Sequence, residues 1–202
     1  AGVLAEDFGP SLEPQALQYL TKIQSSSARM SSLMDDLLRL SRVARSELHP
    51  GTVDLAVLAE SIVEELREAE PARNVEFSCS GPLTVFADLG LMRIALQNLL
   101  GNAWKYTSRT PKARVSLTVS PKPQGRVYIV EDNGTGFDMS SAKKLFQPFV
   151  RLHESSDFEG NGIGLALVAR IVARHGGSVW AESGAGTGTR FFFTLGEADG
   201  VR

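Results

Sequence analysis

DNGTGF runs from Asp132 to Phe137, and GNGIGLALV runs from Gly160 to Val168, with the phenylalanine-bearing LFQPFV (Leu145 to Val150) between them. Ile129 and Val130 close the β-branched run RVYIVED, so Asp132 falls at the tip of a predicted strand. Gly134 and Gly136 then allow backbone to approach a ligand with no Cβ in the way. A carboxylate at such a tip can accept a hydrogen bond from the exocyclic amine of adenine, although DNG alone also reads as a hairpin turn. Gly160, Gly162 and Gly164 lead into IGLALVARIVARH, a helical pattern whose first N–H groups are free to face an anion. No strand precedes this stretch as a dinucleotide fingerprint requires, and it lacks the GK[ST] of a P-loop. Hydride transfer and P-loop chemistry are both disfavoured.

Upstream, Leu89 to Tyr106 reads as one strong helix. Leu96, Leu99, Leu100 and Ala103 form its apolar side; Gln97, Asn98, Gly101, Asn102 and Lys105 form a polar stripe. Asn98, Asn102 and Lys105 follow one another at steps of four and three, so they point one way. Two amide oxygens and an ammonium on one face suit a magnesium phosphate, because Mg²⁺ keeps most of its waters and lysine supplies a point charge. Taken alone, the stripe is better read as a solvated face.

The surroundings bound the class. With 202 residues, 43% hydrophobic, the chain can bury a real core, and its formal net charge of -2 argues against non-specific nucleic-acid binding. Cys79 is the single cysteine, which excludes an internal disulfide or a cysteine metal cluster and fits a reducing compartment. No apolar run is long enough to span a bilayer. From Leu12 to Leu48 the sequence is helix-forming without internal glycine, with a seam at Leu20, Ile23, Ser27, Met30, Met34, Leu37, Ser41, Ala44 and Leu48. Such a helix needs partner helices, and AGVLAEDFGP before it reads as the end of another arm. His49-Pro50-Gly51 stops the helix, giving expected domains of 1–49 and 50–202. In the second domain VDLAVLAESIVEELREAE reads as a helix; VEFSCS, LTVFA, ARVSLTVS, RVYIVED, SVWAES and TRFFFTL read as strands. The expected fold class is α+β, with helices packed on one face of a mixed sheet.

Taken in order, these pieces resemble the histidine kinase branch of the GHKL ATP-binding fold over nearly the whole chain. QNLLGNAWKYT looks like the N box, EDNGTGF the first glycine box, LFQPFVRL the phenylalanine box, GNGIGLALV the second glycine box and GTGTRFFF the third. RMSSLMDDLLRLSRV resembles the second helix of a dimerisation and histidine-phosphotransfer hairpin, and FVRLH followed by GNGIGLA is most similar to phytochrome-like kinases. Gln147, Trp104 and Asn161 depart from the family's usual acidic, aliphatic and threonine residues. The resemblance implies a truncated hairpin of a dimeric four-helix bundle, then a two-layer α/β sandwich with a mobile ATP lid. It implies ATP and Mg²⁺ as cofactors, with Asn102 on the metal, Asn98 in the phosphate and metal environment, Lys105 on phosphate, Tyr106 at the nucleotide's flank and Asp132 on adenine. Gly134, Gly136, Gly160, Gly162, Gly164, Leu165 and Thr189 would complete the nucleotide site. Phe146 and Phe149 would anchor the closed lid or pack in the core, and Arg151 would reach the terminal phosphate or lie solvated.

Position 98 discriminates within the superfamily, where the water-activating branches carry glutamate. Asparagine cannot act as a general base near neutral pH, so phosphoryl transfer to a protein acceptor is the better reading. The family pattern then implies a bacterial cytoplasmic kinase that dimerises through its hairpin and passes phosphate to a response regulator receiver domain. An ATP-binding scaffold without transfer stays open. So does an anti-sigma-type serine kinase, which usually lacks a long hairpin. No stretch resembling S-H-E/D-L-R surrounds His49, His153 or His175, so the acceptor histidine is expected upstream of Ala1.

Overall fold

The structure is a computed structural model and describes residues 12–122, 125–150 and 161–196. It divides into two compact units, Ala1–Arg39 and Leu40–Arg202. The sequence AGVLAEDFGP, read above as the end of another arm, lies outside the described residues.

Helix α1 (Pro14–Arg45) holds 32 residues, about 48 Å at the usual rise. It starts on a proline, whose missing N–H is no loss in the first turn, and carries Arg42 and Arg45 in its last turn, where cations offset the helix dipole. Along the seam, Ile23, Met30, Met34 and Leu37 are exposed on this single chain.

The second unit takes in the last residues of α1 and then runs β1 (Pro50–Asp54), α2 (Leu55–Ala69), β2 (Val75–Ser80), β3 (Thr84–Asp88), α3 (Leu89–Tyr106), β4 (Ala113–Lys122), β5 (Gly125–Asp132), a 3₁₀ turn at Met139–Lys144, α4 (Gly164–Arg174), β6 (Val179–Gly184) and β7 (Gly188–Phe193). Aspartates start two of the helices. Asp54 Oδ1 accepts from Ala56 N at 2.8 Å to cap α2, and Asp88 Oδ1 accepts from Leu91 N at 3.0 Å to cap α3. The five-stranded sheet has the order β2-β4-β5-β7-β6, with β2 parallel to β4 and the other pairs antiparallel. Helices α2 and α4 flank α3, which itself packs on the sheet. Leu117, Val130, Phe191 and Phe193 occupy one face of adjacent strands and are buried. Apolar burial of this kind, roughly 25 cal/mol per Å², is the main term holding the two layers together. The architecture is therefore α+β, a helical layer on a mixed sheet.

One element was not legible beforehand. α1 ends at Arg45, ahead of the expected stop at His49-Pro50-Gly51, and Pro50 and Gly51 instead open β1, which pairs with β3 in a separate two-stranded sheet from Pro50 opposite Asp88 to Asp54 opposite Thr84. Proline can open a strand because it needs no ladder donor there.

The helix end Leu40–Ser46 is held by α4. The Arg174 guanidinium donates to Val43 O at 2.6 Å, to Ser46 Oγ at 2.9 Å and to Ser46 O, satisfying carbonyls that α1 leaves unpaired. The next residue, His175, caps α4 and accepts from Asp88 N through Nε2 at 3.0 Å. Its Nδ1 lies 2.8 Å from Ile171 O, so the neutral ring with the proton on Nδ1 satisfies both contacts. This histidine ties the end of α4 to Asp88, a structural role.

Candidate nucleotide site

Asp132 closes β5, opposite Thr189 on β7 and Val115 on β4. It is 5% exposed, and its Oδ1 accepts from Gly134 N at 2.8 Å. Burial pushes its pKa up from 3.8 to about 6, although the backbone N–H groups of Gly134 and Thr189 favour the charged form. Glu131 adds to the upward push. A buried carboxylate is a costly group to keep, and a ligand N–H donor would offset that cost.

The glycines around Asp132 are required by the protein's own backbone. A Cβ on Gly134 would stand 2.4 Å from Tyr106 O. At Gly136, where φ is +62°, it would stand 2.0 Å from Gly184 O. The loop after β5 threads between the end of α3 and the β6–β7 turn. Thr135 ties both sides: its N–H donates to Tyr106 O at 3.2 Å and its carbonyl accepts from Gly186 N at 2.7 Å. Thr135 Oγ1 is buried and has no hydrogen-bond partner among the described residues. Asn133 fastens the loop to β4, accepting from Arg114 N at 2.7 Å and donating to Lys112 O at 2.8 Å.

On α3, Asn98, Asn102, Lys105 and Tyr106 are all half-buried. Asn98 Nδ2 donates to Ile94 O at 2.8 Å, while its Oδ1 lies against the first residue of α4. A Cβ on Gly164 would fall 2.2 Å from that oxygen, so the glycine is what lets the N-terminus of α4 meet Asn98. Lys105 Nζ sits 4.3 Å from the centre of the Tyr106 ring, a cation–π contact. Leu165 is half-buried in the first turn of α4.

Phe146 and Phe149 differ in setting. Phe146 meets Phe191 edge to face at 6.5 Å, whereas Phe149 is 56% exposed with φ at 66°. Phe149 N donates to Gly162 O at 2.9 Å, and a Cβ on Gly162 would come 2.8 Å from Val150 O. The flanks of the glycine and phenylalanine boxes therefore touch. Arg151, His153 and Gly160 lie outside the described residues.

Three supports were invisible in the sequence. Arg73 lies over the Trp104 ring at 5.1 Å and donates to Trp104 O at 2.8 Å and Thr107 Oγ1 at 3.1 Å, closing the C-terminus of α3. Trp104, a departure from the usual aliphatic, is thereby covered by a cation. Ser183 on β6 accepts from Phe137 N at 2.9 Å and donates to Gly188 O at 2.8 Å. Arg174 holds the end of α1 as described. Apart from Gly188, five residues from Ser183, these partners are far apart in sequence, so no local pattern could announce them.

Residues 87–199, more than half of the chain, match the family described as histidine kinase-, DNA gyrase B-, and HSP90-like ATPase. The chain is 31% identical over 194 residues to cyanobacterial phytochrome B of Nostoc sp. (strain PCC 7120), covering 95% of this chain and 26% of that protein. It is 36% identical over 172 residues to the adaptive-response sensory kinase SasA of Synechococcus sp. (strain JA-3-3Ab), covering 83% of this chain and 45% of that one. Among solved structures, full-length ShkA in complex with AMPPNP superposes with a TM-score of 0.68 at 29% identity, covering 93% of this chain and 41% of ShkA. The chain belongs to the histidine kinase-, gyrase B- and HSP90-like ATPases, in the branch of the sensor histidine kinases, whose ATP-binding catalytic core it represents. It spans between a quarter and about half the length of such curated relatives. No helix among the described residues is long and apolar enough to cross a membrane.

Proposed function

We propose that this chain binds Mg-ATP between α3, the loop after β5 and the start of α4, and transfers the γ-phosphoryl group to a histidine on a helical hairpin. The observation that carries the choice of transfer over hydrolysis is Asn98. Its amide meets the start of α4 at the position where a water-activating enzyme needs a carboxylate, and an amide has no basic lone pair near neutral pH. The donor set fits the ligand: a desolvated carboxylate at Asp132 for adenine, amide oxygens at Asn98 and Asn102 for hydrated Mg²⁺ and phosphate, and Lys105 for phosphate charge. When bound, ATP supplies the phosphoryl group and Mg²⁺ neutralises charge on its oxygens. Tyr106 flanks the nucleotide. Gly134, Gly136, Gly162, Gly164, Leu165 and Thr189 shape the walls, while Phe146, Phe149, Gly160 and Arg151 belong to the lid. The domains are 1–49 for the hairpin and 50–202 for catalysis, and the phosphoryl group passes on to the aspartate of a response regulator in the bacterial cytoplasm.

Incubation with γ-labelled ATP and Mg²⁺ tests this. The 202-residue chain should stay unlabelled, and an added hairpin fragment carrying a histidine in an S-H-E/D-L-R setting should gain acid-labile, base-stable label. Label on the chain itself, or free phosphate released with no labelled hairpin, would overturn the transfer reading.

The exposed seam of α1 carries the second part of the reading, a homodimer through a four-helix bundle. Sedimentation at micromolar concentration should give a dimer, and Met30→Asp with Leu37→Asp should shift the mass to monomer. Unchanged mass in the double variant removes this seam as the interface.

A further inference from the structure

Asp132, Thr189 and Ser183 form one row across β5, β7 and β6, each facing the next in register on the same side of the sheet. All three border an open depression at the strand ends, with Gly184 and Gly188. Ser183 Oγ has three neighbours: Gly188 O at 2.8 Å, Phe137 N at 2.9 Å and Thr189 Oγ1 at 3.2 Å. A hydroxyl carries a single proton and two lone pairs. A carbonyl oxygen can only accept, so the proton of Ser183 is committed to Gly188. An amide N–H can only donate, so Phe137 takes one lone pair. The contact with Thr189 is then made by the remaining lone pair, and Thr189 must be the donor. With its proton turned toward Ser183, Thr189 offers only lone pairs to anything entering beside Asp132, whose carboxylate likewise accepts.

We infer that Ser183 is a positioning residue for base selection: by orienting the Thr189 hydroxyl, it makes the Asp132–Thr189 end of the site a pure acceptor surface that takes an amino-bearing purine and rejects a carbonyl-bearing one. This rests on the nucleotide reading above and goes beyond it, because it assigns half of the discrimination to a residue that never touches the base. Without Ser183, the Thr189 hydroxyl rotates freely and can donate to a carbonyl at purine position 6.

The test compares ATP with inosine triphosphate, which replaces the 6-amine by a carbonyl and puts a proton on N1, in calorimetric titrations of the 202-residue chain with Mg²⁺. The parent should prefer ATP. In Ser183→Ala that preference should shrink about fivefold, the worth of one neutral hydrogen bond changing sense, while Ser183→Thr should retain it. Thr189→Val should lose a similar part of the preference, and adding Ser183→Ala to it should change nothing further. A purely structural Ser183 would lower both affinities by one factor and leave their ratio alone; that result overturns the inference. So does an unchanged ratio in Thr189→Val, which decides the matter even if Ser183→Ala fails to fold. Failure of the nucleotide reading itself looks different: the parent shows no preference, or Asp132→Asn keeps the ratio of the parent.

Discussion

Asp132→Asn is expected to weaken Mg-ATP binding about a hundredfold while making the nucleotide-free chain more stable. The loss follows from removing a charged acceptor and turning an amide N–H₂ toward the adenine amine, because Gly134 N holds the oxygen side of the group. The gain follows from linkage. Asp132 binds its proton more tightly when folded, with a pKa near 6 against 3.8 for the free group. A raised carboxylate pKa costs nothing below about pH 3, where both states are protonated, and its penalty grows between the two values. Above about pH 7 the full penalty is present, about 3 kcal/mol for a shift of this size. Asparagine removes it and retains a smaller amide burial cost. Urea unfolding of parent and variant should therefore come together near pH 3 and separate in favour of the variant by about 1–3 kcal/mol at pH 8. Equal stabilities across the range would mean that the carboxylate is solvated and has no strained role. By the same sign, ATP affinity of the parent should fall as pH drops below about 6, because the neutral acid is the poorer acceptor.

Gly136→Ala is expected to cost about 4 kcal/mol or more of folding stability, and Gly186→Ala only about 1. Both glycines have positive φ, at 62° and 77°, so both alanines bear the left-handed backbone penalty. They differ in space. The added Cβ at Gly136 would lie 2.0 Å from Gly184 O and 3.0 Å from Gly188 O, backbone atoms that can move only if the β6–β7 turn leaves the loop after β5. At Gly186 nothing lies within 4 Å. Denaturant midpoints of the two variants should thus part widely. A similar small loss in both would show that the loop and the turn separate easily, and the Asp132 end of the site would then have no rigid wall.

Helix α3 was read from Leu89 to Tyr106, the range the structure gives, because its signals are local: an aspartate just ahead of it and apolar residues at helical spacing. α1 was read from Leu12 to Leu48 on its apolar seam and is Pro14–Arg45, so its existence was local while its end was not. Strand β1 was missed because a five-residue strand is stabilised by its partner β3, thirty-odd residues away, and nothing local demands it. The boxes around Asp132 pointed to a nucleotide site by type and order. At Gly134 and Gly136 the structure adds what they did not reveal, close approaches of the loop to Tyr106 and Gly184.

The amino-acid sequence by itself determined that this chain carries a long helix with an apolar seam, then an α+β layer with an asparagine-bearing polar stripe on one helix. Those are matters of periodicity and residue type, each written within a few turns of chain, while the nucleotide and the contrast with hydrolases came from the resemblance of its boxes to a family. Only the tertiary structure decided which atoms the glycines admit, that Asp132 is desolvated, that Arg73 and Arg174 close helix ends, and that Ser183 lies beside Thr189. These depend on which strands lie side by side, and hydrogen-bond polarity across β5, β7 and β6 exists only once the sheet has brought Asp132, Thr189 and Ser183 into one row.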